Sequence, residues 1–358
     1  MKKKWFAACA VVALIVSLTG PTLAHENTEG KPGEKTERSL AVDPQATVTL
    51  CVASGTLTVR GWDKSEIRVR SLDAAQIDFR RIDKTKDPAK PAARVDVMVL
   101  DKRSATPPRL DCQALASVEM EVPAGATVQV QTRDGDITIS GVAGAYAGSQ
   151  NGDIFIERAT KLVEAGSVGG SIILKDSSGR VNLSSAGGGV EAINVRPGGP
   201  EDTFEVGTVT GDIQLERVSN PKVTAKTVNG ALMMSGPLAK SGSYGLTNMT
   251  GNIILAMPAD SSFQLNAKVS EKHDIISEFP LKYLSEPAPP APAKTKPQPP
   301  APKTPAPKGG GPVVAPIVVE KPAMTMPYIL RRVTAVCGSG DAIISIASFG
   351  GAVRLKKI

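Results

Sequence analysis

Histidine is nearly missing from this chain, which holds two in 358 residues, His25 and His273. A Ser-His-Asp constellation would have to be built on His273, and no Gly-x-Ser-x-Gly elbow is present to seat a nucleophile, so His273 is read as an ordinary corner residue. Aromatic residues are only 4 % of the chain, too few for the stacking platforms that single-stranded nucleic-acid binders use. The four cysteines are isolated, without Cys-x-x-Cys or His-x-x-x-His spacing, and a zinc centre is not expected. Phosphate-loop and dinucleotide fingerprints are also lacking, since Gly187-Gly188-Gly189 runs into Val190 and not into Lys-Ser/Thr or a helix. No catalytic residue, cofactor, metal or nucleic acid is expected on these grounds. Beyond residue 24 no apolar run approaches the ~20 residues of a bilayer span.

The N-terminus carries what the rest lacks. Lys2, Lys3 and Lys4 form a basic start, Trp5 to Leu18 an apolar core, and Pro21-Thr22-Leu23-Ala24 a cleavage site with small residues, which together read as a signal peptide cut after Ala24. The expected location is therefore extracytoplasmic: periplasm, cell surface or medium. Cleavage removes three lysines and no acid, lowering the formal charge from +7 to +4. Lys294, Lys296, Lys303 and Lys308 account for that remainder, in a Pro/Lys/Ala run without acids. A folded basic face for nucleic acid is thus not supported. Three cysteines remain in an oxidising compartment, and Cys51 with Cys112 is the preferred disulfide because both lie in the N-terminal third.

A short repeat dominates the middle. Gly135-Asp-Ile-Thr-Ile, Gly152-Asp-Ile-Phe-Ile, Gly170-Ser-Ile-Ile-Leu, Gly211-Asp-Ile-Gln-Leu, Gly230-Ala-Leu-Met-Met and Gly251-Asn-Ile-Ile-Leu align, with Gly188 a weaker member. Intervals from Gly135 are 17, 18, 18, 23, 19 and 21 residues, the longest holding the insertion Arg196-Pro-Gly-Gly-Pro200. Seven, five and three residues before each glycine stand an apolar residue, another, and a small polar one, as in Val163/Ala165/Ser167 and Val181/Leu183/Ser185. The register extends back to Val48/Leu50 before Gly55 and forward to Val333/Ala335/Cys337 before Gly340, which places Cys337 in the polar position.

Period-two alternation on both sides of a glycine predicts two short strands per repeat joined at a tight corner, with glycine chosen for positive φ. One coil cannot bury its own apolar face, so coils must stack. The fold expected is all-β: a parallel β-solenoid or β-roll of two-strand coils with an irregular β cap at its N-terminal end. The expected organisation is a signal peptide 1–24, a flexible start 25–39, a cap 40–122, solenoid repeats 123–284, a Pro/Lys-rich disordered insertion 285–327 and a last β coil 328–358.

Gly55-Thr-Leu-Thr-Val-Arg-Gly-Trp-Asp-Lys-Ser-Glu-Ile-Arg-Val69, Val-Pro-Ala-Gly-Ala-Thr-Val at 122–128 and the recurrent Gly-Asp-Ile strands resemble a bacterial family of adhesin-like β-strand-repeat proteins of unknown function. The resemblance spans about residues 40–284 and 328–358 and implies secretion, a β-solenoid and an envelope-associated role without catalytic residues to carry over. The chain departs from it in the Pro/Lys insertion and in Lys272-His273-Asp274-Ile275, where a Gly-Asp-Ile corner is expected.

Three functional readings follow. The first is a non-enzymatic adhesin-like protein that binds an envelope glycan, a lipid surface or an extracellular ligand. The second is a structural or envelope-stress protein that docks a protein partner. The third is a carbohydrate-active β-helix in which Asp136 and Asp153, one coil apart, serve as a carboxylate pair; turn capping explains both acids as well. The outward ladder Thr138, Phe155, Ile173, Glu191, Gln214, Met233, Ile254 contains two apolar patches, Phe155/Ile173 and Met233/Ile254. These are either covered by residues 64–120 or 262–284, the favoured expectation, or used for a partner. Lys294, Lys296, Lys303 and Lys308 are the electrostatic contact candidates.

Overall fold

The computed structural model describes residues 36–82, 90–100, 112–284 and 330–358. The chain opens with strands β1 (Thr36–Ser54), β2 (Leu57–Trp62), β3 (Glu66–Ser71), β4 (Gln76–Arg81), β5 (Ala92–Leu100) and β6 (Val118–Pro123). Four coils follow: β7 (Thr127–Asp134) with β8 (Ile137–Ser140), β9 (Gly144–Asn151) with β10 (Ile154–Glu157), β11 (Leu162–Ser167) with β12 (Ile172–Lys175), and β13 (Arg180–Ser185) with β14 (Val190–Val195). Next come β15 (Thr203–Thr210) with β16 (Ile213–Val218), β17 (Lys222–Asn229) with β18 (Leu232–Ser235), and β19 (Ser243–Thr250) with β20 (Ile253–Met257). The last elements are β21 (Phe263–Ser270), β22 (Ile275–Ser277), β23 (Lys282–Tyr283), β24 (Leu330–Cys337), β25 (Ala342–Ser348) and β26 (Val353–Lys357).

Two facing parallel sheets result, so the expected β-solenoid is the fold. Sheet A runs β3, β6, β2, β8, β10, β12, β14, β16, β18, β20, β26, β22. Sheet B runs β4, β5, β1, β7, β9, β11, β13, β15, β17, β19, β25, β21, β24, β23. Alternation sends Ile154, Ile156, Ile172 and Leu174 inward from sheet A to meet Val163, Ala165, Val181 and Leu183 of sheet B, all buried. Tyr244, Phe204 and Phe263 are the largest side chains wholly inside. Burial pushes the Tyr244 hydroxyl pKa up, against the opposing pull of the Ala239 N–H, which donates to its oxygen at 2.5 Å.

Chain order and stacking order differ at both ends. The coil β1–β2 lies between β5–β6 and β7–β8, and the coil β25–β26 lies between β19–β20 and β21–β22. Antiparallel strands finish each end: β3 and β4 at one, β24 and β23 at the other.

This arrangement corrects the placement of Cys337. Its strand β24 runs antiparallel to β21 and is not a coil strand at all. The last coil is instead Ile344/Ile346/Ser348 before Gly351, the same seven-five-three spacing eleven residues further on. Alternation alone cannot distinguish a parallel strand from an antiparallel one, so both segments fitted the pattern. Cys337 is a buried free thiol whose Sγ lies 3.6 Å from the Ser261 carbonyl.

The expected positive φ holds at Gly55, Gly135, Gly211, Gly230 and Gly251 but does not account for every corner glycine. Gly211 (φ +144°) and Gly251 (φ +105°) are left-handed, yet Gly152, Gly170 and Gly188 have no positive φ. What they share is contact between coils: a Cβ on Gly152, Gly170 or Gly188 would fall 2.0, 2.0 or 2.2 Å from the carbonyl oxygen of the corner glycine one coil earlier. The opposite corner does hold left-handed residues in register: Arg158, Asp176, Asn194 and Arg217 have φ between 47° and 56°. The Asn194 amide donates to the Asp176 carboxylate at 2.8 Å and Arg217 Nε donates to the Asn194 carbonyl oxygen at 2.5 Å, tying neighbouring coils together.

The small polar ladder bonds the stack from inside. Ser149, Ser167, Ser185, Thr208 and Thr227 are buried and donate to Gly135, Gly152, Gly170, Gly188 and Gly211 carbonyls at 3.2, 3.1, 2.9, 2.9 and 3.1 Å. The Ser185 hydroxyl also accepts from the Gly188 N–H at 2.9 Å. Ser185→Ala therefore leaves two buried backbone groups unpaired and is expected to cost about 1–3 kcal/mol, read as a shift in urea midpoint. Ser185→Thr should hold near wild type, because Thr208 makes the same bond. An alanine variant as stable as wild type would show the ladder to be dispensable.

Candidate functional site

The acids after the corner glycines are engaged as straps. The Asp153 N–H donates to the Asp136 carboxylate at 2.9 Å, the Ser171 N–H to Asp153 at 2.7 Å, and the Ala231 N–H to Asp212 at 2.7 Å. Asn252 repeats the motif, accepting from the Ala352 N–H at 3.0 Å. Each carboxylate thus caps the turn of the adjacent coil. His273 sits in the turn before β22, its N–H bonded to the Ser270 carbonyl at 3.0 Å. Among the described residues no three of His, Cys, Asp and Glu gather as a metal site requires. Cys51 and Cys112 are joined by a disulfide, with Cα atoms 4.8 Å apart. Lys294, Lys296, Lys303 and Lys308 lie outside the described residues.

The outer face of sheet A brings the outward ladder into register: Thr138, Phe155, Ile173, Glu191, Gln214, Met233 and Ile254 are successive neighbours, and Arg354 and Ile276 extend the row. The covering expected from residues 64–120 or 262–284 does not occur among the described residues. β3 and β6, like β21 and β22, extend the sheets at their ends because their backbone groups pair edge to edge. Met233 keeps 41 % exposure and Ile276 52 %, while Phe155 is half-buried with the Lys175 ammonium 5.9 Å from its ring centre. The N-terminal end of this face is a charged recess lined by Thr58, Arg60, Arg68, Arg70, Glu119 and Glu121. Its charges neutralise one another: Arg68 pairs with Glu121, and Arg70 with Glu37 at 2.7 Å and Glu119 at 3.5 Å. Donation to the Glu37 carboxylate raises the Arg70 pKa above its ordinary value. Lys64 and Arg68 each stand 4.8 Å from the Trp62 ring centre, whose Nε1 donates to the Glu66 carbonyl.

The outer face of sheet B holds a groove that the sequence reading passed over. Gln131, Tyr146, Glu164, Asn182 and Ser184 line it, over a floor of Gly148 and Gly166 that continues to Gly207. Unlike the corner glycines, these have room. A Cβ on Gly148, Gly166 or Gly207 would meet nothing nearer than 3.7, 3.9 or 3.9 Å, and none has positive φ. The signal was legible as a second glycine four residues before the corner glycine, in Gly148/Gly152, Gly166/Gly170 and Gly207/Gly211. One margin of the same face is apolar: Val168, Val209, Val228 and Met249 are 59, 51, 41 and 42 % exposed.

Kinship follows the stack. Residues 112–279, which include every coil from β7–β8 to β21–β22 except the tucked-in β25–β26, match the Toastrack family, DUF4097. The chain carries a Toastrack domain. Both internal end coils, β1–β2 and β25–β26, fall outside the Toastrack match although they pair within the same sheets. No curated protein matches the sequence. Among solved structures the chain is similar to a proposed adhesin of Bacteroides fragilis (10 % identity, TM-score 0.33, 90 % of this chain and 97 % of that one). It is also similar to a proposed cell adhesion protein of Clostridium sporogenes (10 %, 0.23, 91 % and 100 %) and a proposed lipid-binding protein of Parabacteroides distasonis (13 %, 0.38, 63 % and 90 %). At these identities and TM-scores the likeness carries no argument about ligand or activity.

Proposed function

We propose that the protein is a non-enzymatic, adhesin-like module that works outside the cytoplasm after cleavage near Ala24. It holds an envelope or extracellular partner on the outer face of sheet A, with Phe155, Ile173, Met233 and Ile254 as contacts and Lys294, Lys296, Lys303 and Lys308 as an electrostatic supplement. The observation that carries this reading is the two apolar patches left uncovered on the outer face of sheet A, half-buried at Phe155, Ile173 and Ile254 and exposed at Met233, while the corner acids are committed to backbone bonds. A carbohydrate-active reading is weaker for the same reason, since Asp136 and Asp153 already serve as turn caps.

The test is co-sedimentation of residues 25–358 with isolated envelope fractions and insoluble glycans at low and high salt, beside a chain also lacking residues 286–312. Retention of both forms, lost on Phe155→Glu with Ile254→Glu, is the expected result. Retention lost only with residues 286–312 would move recognition to the lysine-bearing segment. No sedimentation by either form overturns the adhesin-like reading and directs the search to a soluble protein partner. Glycan turnover abolished by Asp153→Asn would replace it with the enzymatic one.

A further inference from the structure

The outer face of sheet B is laid out so that a half-turn matches it to itself. One residue beyond the internal hydroxyl ladder, successive coils present Val168, Ala186, Val209, Val228, Met249 and Phe349 as a ridge along one margin of the face. This ridge begins on the coil of β11 and ends on that of β25, so its midpoint falls between β15 and β17. Exposed aliphatic rows of this length mark contact surfaces on proteins that otherwise keep such groups apart.

Charge on the same face changes sign at the same place. Before the midpoint stand the exposed acids Glu164 and Glu205, with Arg180 as the single base on β9 to β15 and Arg133 of β7 paired with its neighbour Asp134; after it stand Lys222, Lys226, Lys268 and Arg332. Among the described residues none of the other seven takes part in an ion pair within the chain, whereas Arg68 and Arg70 of sheet A's recess are paired with Glu121 and Glu119. Between the ridge and the two acids runs the floor of Gly148, Gly166, Ser184 and Gly207, flat where the fold would accept side chains, and Lys226 continues its row. Mid-strand glycine weakens a strand and suits close approach of another backbone.

We propose that a second copy of this chain docks face to face on sheet B, about a two-fold axis that runs along the strands between β15 and β17. The half-turn reverses coil order and keeps strand direction. Val209 then meets Val228 of the other copy, Ala186 meets Met249, and Val168 meets Phe349. Glu205 comes opposite β17 between Lys222 and Lys226, and Glu164 lies one strand from Lys268. Such an interface is isologous, as a closed dimer requires. Six coils at ~4.8 Å by seven residues at ~3.3 Å offer roughly 650 Å² per copy, which puts the total near the lower end of the ~1,200–2,000 Å² of stable interfaces. The proposal stands apart from the sheet A reading, because docking through sheet B leaves sheet A open.

Sedimentation equilibrium of the full chain at low and high salt tests it. A dimer is expected, weakened by salt. Lys226→Glu should raise its dissociation constant about tenfold, and the swap Glu205→Lys with Lys226→Glu should restore it. Val209→Asp with Val228→Asp should leave a monomer with unchanged circular dichroism, since both side chains are exposed in the single chain. A single monomeric species at about 100 µM and low salt, or a dimer indifferent to all three changes, overturns the proposal. A monomer whose retention on envelope material falls with the two aspartates also overturns it, by giving this face to the envelope partner.

Discussion

Gly170→Ala is expected to destabilise the protein by at least about 3 kcal/mol or to prevent folding, while Gly166→Ala, four residues upstream, should be neutral or stabilising by up to about 1 kcal/mol. The added methyl is the same in both. On Gly170 it would stand 2.0 Å from the Gly152 oxygen, 2.4 Å from its carbonyl carbon and 2.9 Å from the Asp153 nitrogen. All three atoms are backbone, held by the ladder on either side, so no side chain can swing away and the coils must part. Parting them also strains the Ser185 bond to the Gly170 carbonyl and the Ser171 bond to Asp153. On Gly166 the nearest atom is the Ser184 oxygen at 3.9 Å, ordinary contact distance. Urea unfolding of the two variants decides the matter. If Gly170→Ala unfolds at the wild-type midpoint, the corners are looser than this packing allows, and the close approach of coils is not what demands glycine.

The same pair of positions shows what the sequence disclosed and what it did not. Recurrence of Gly170 and its equivalents marked the corners, and the alternation around them named the buried residues of β7 to β20, because both signals repeat within about 20 residues. Their physical cause was hidden: the atom that excludes a side chain at Gly170 belongs to the coil before, and no local pattern reports it. Asp153 shows the same limit. As a letter after glycine it favoured a turn cap over a carboxylate pair without naming what it caps, and the Ser171 N–H in the next coil supplies that partner. Cys337 and Ser348 both satisfied the coil pattern, and the choice between them rests on the direction of β24, set by a partner more than sixty residues away. The groove of sheet B was written in Gly148, Gly166 and Gly207, but a glycine that the fold does not need can be recognised only once the space around it is known.

Removal of residues 342–358 should open the whole C-terminal end of the stack, although it deletes only the last two strands of the sequence. Because β25–β26 is the penultimate coil in space, its loss takes from β22 its pairing with β26 and from β21 its parallel neighbour. Ile344, Ile346, Val353 and Leu355 are at most 2 % exposed, and at ~1.5–3 kcal/mol apiece their burial is worth about 6–12 kcal/mol, as much as a typical domain's entire margin. A stack held by nearest-neighbour contacts confines the damage. Hydrogen exchange should therefore speed up across 263–283 and 330–341 while β9 to β18 stay protected. Shortening the stretch between Leu284 and Leu330 makes the opposite case: the Leu284 N–H already bonds the Thr334 carbonyl at 2.9 Å, so the ends stay together and the effect should be below about 1 kcal/mol. One outcome would refute this account of the tucked coil. Phe263, Leu265 and Ala267 carry the same inward alternation as Ile344 and Ile346, and β21–β22 could slide into the vacated place against β19–β20. Protection of 263–277 at wild-type levels after the truncation would mean that any coil with this alternation fills the next position, and that the order of stacking is set by pattern and not by the path of the chain.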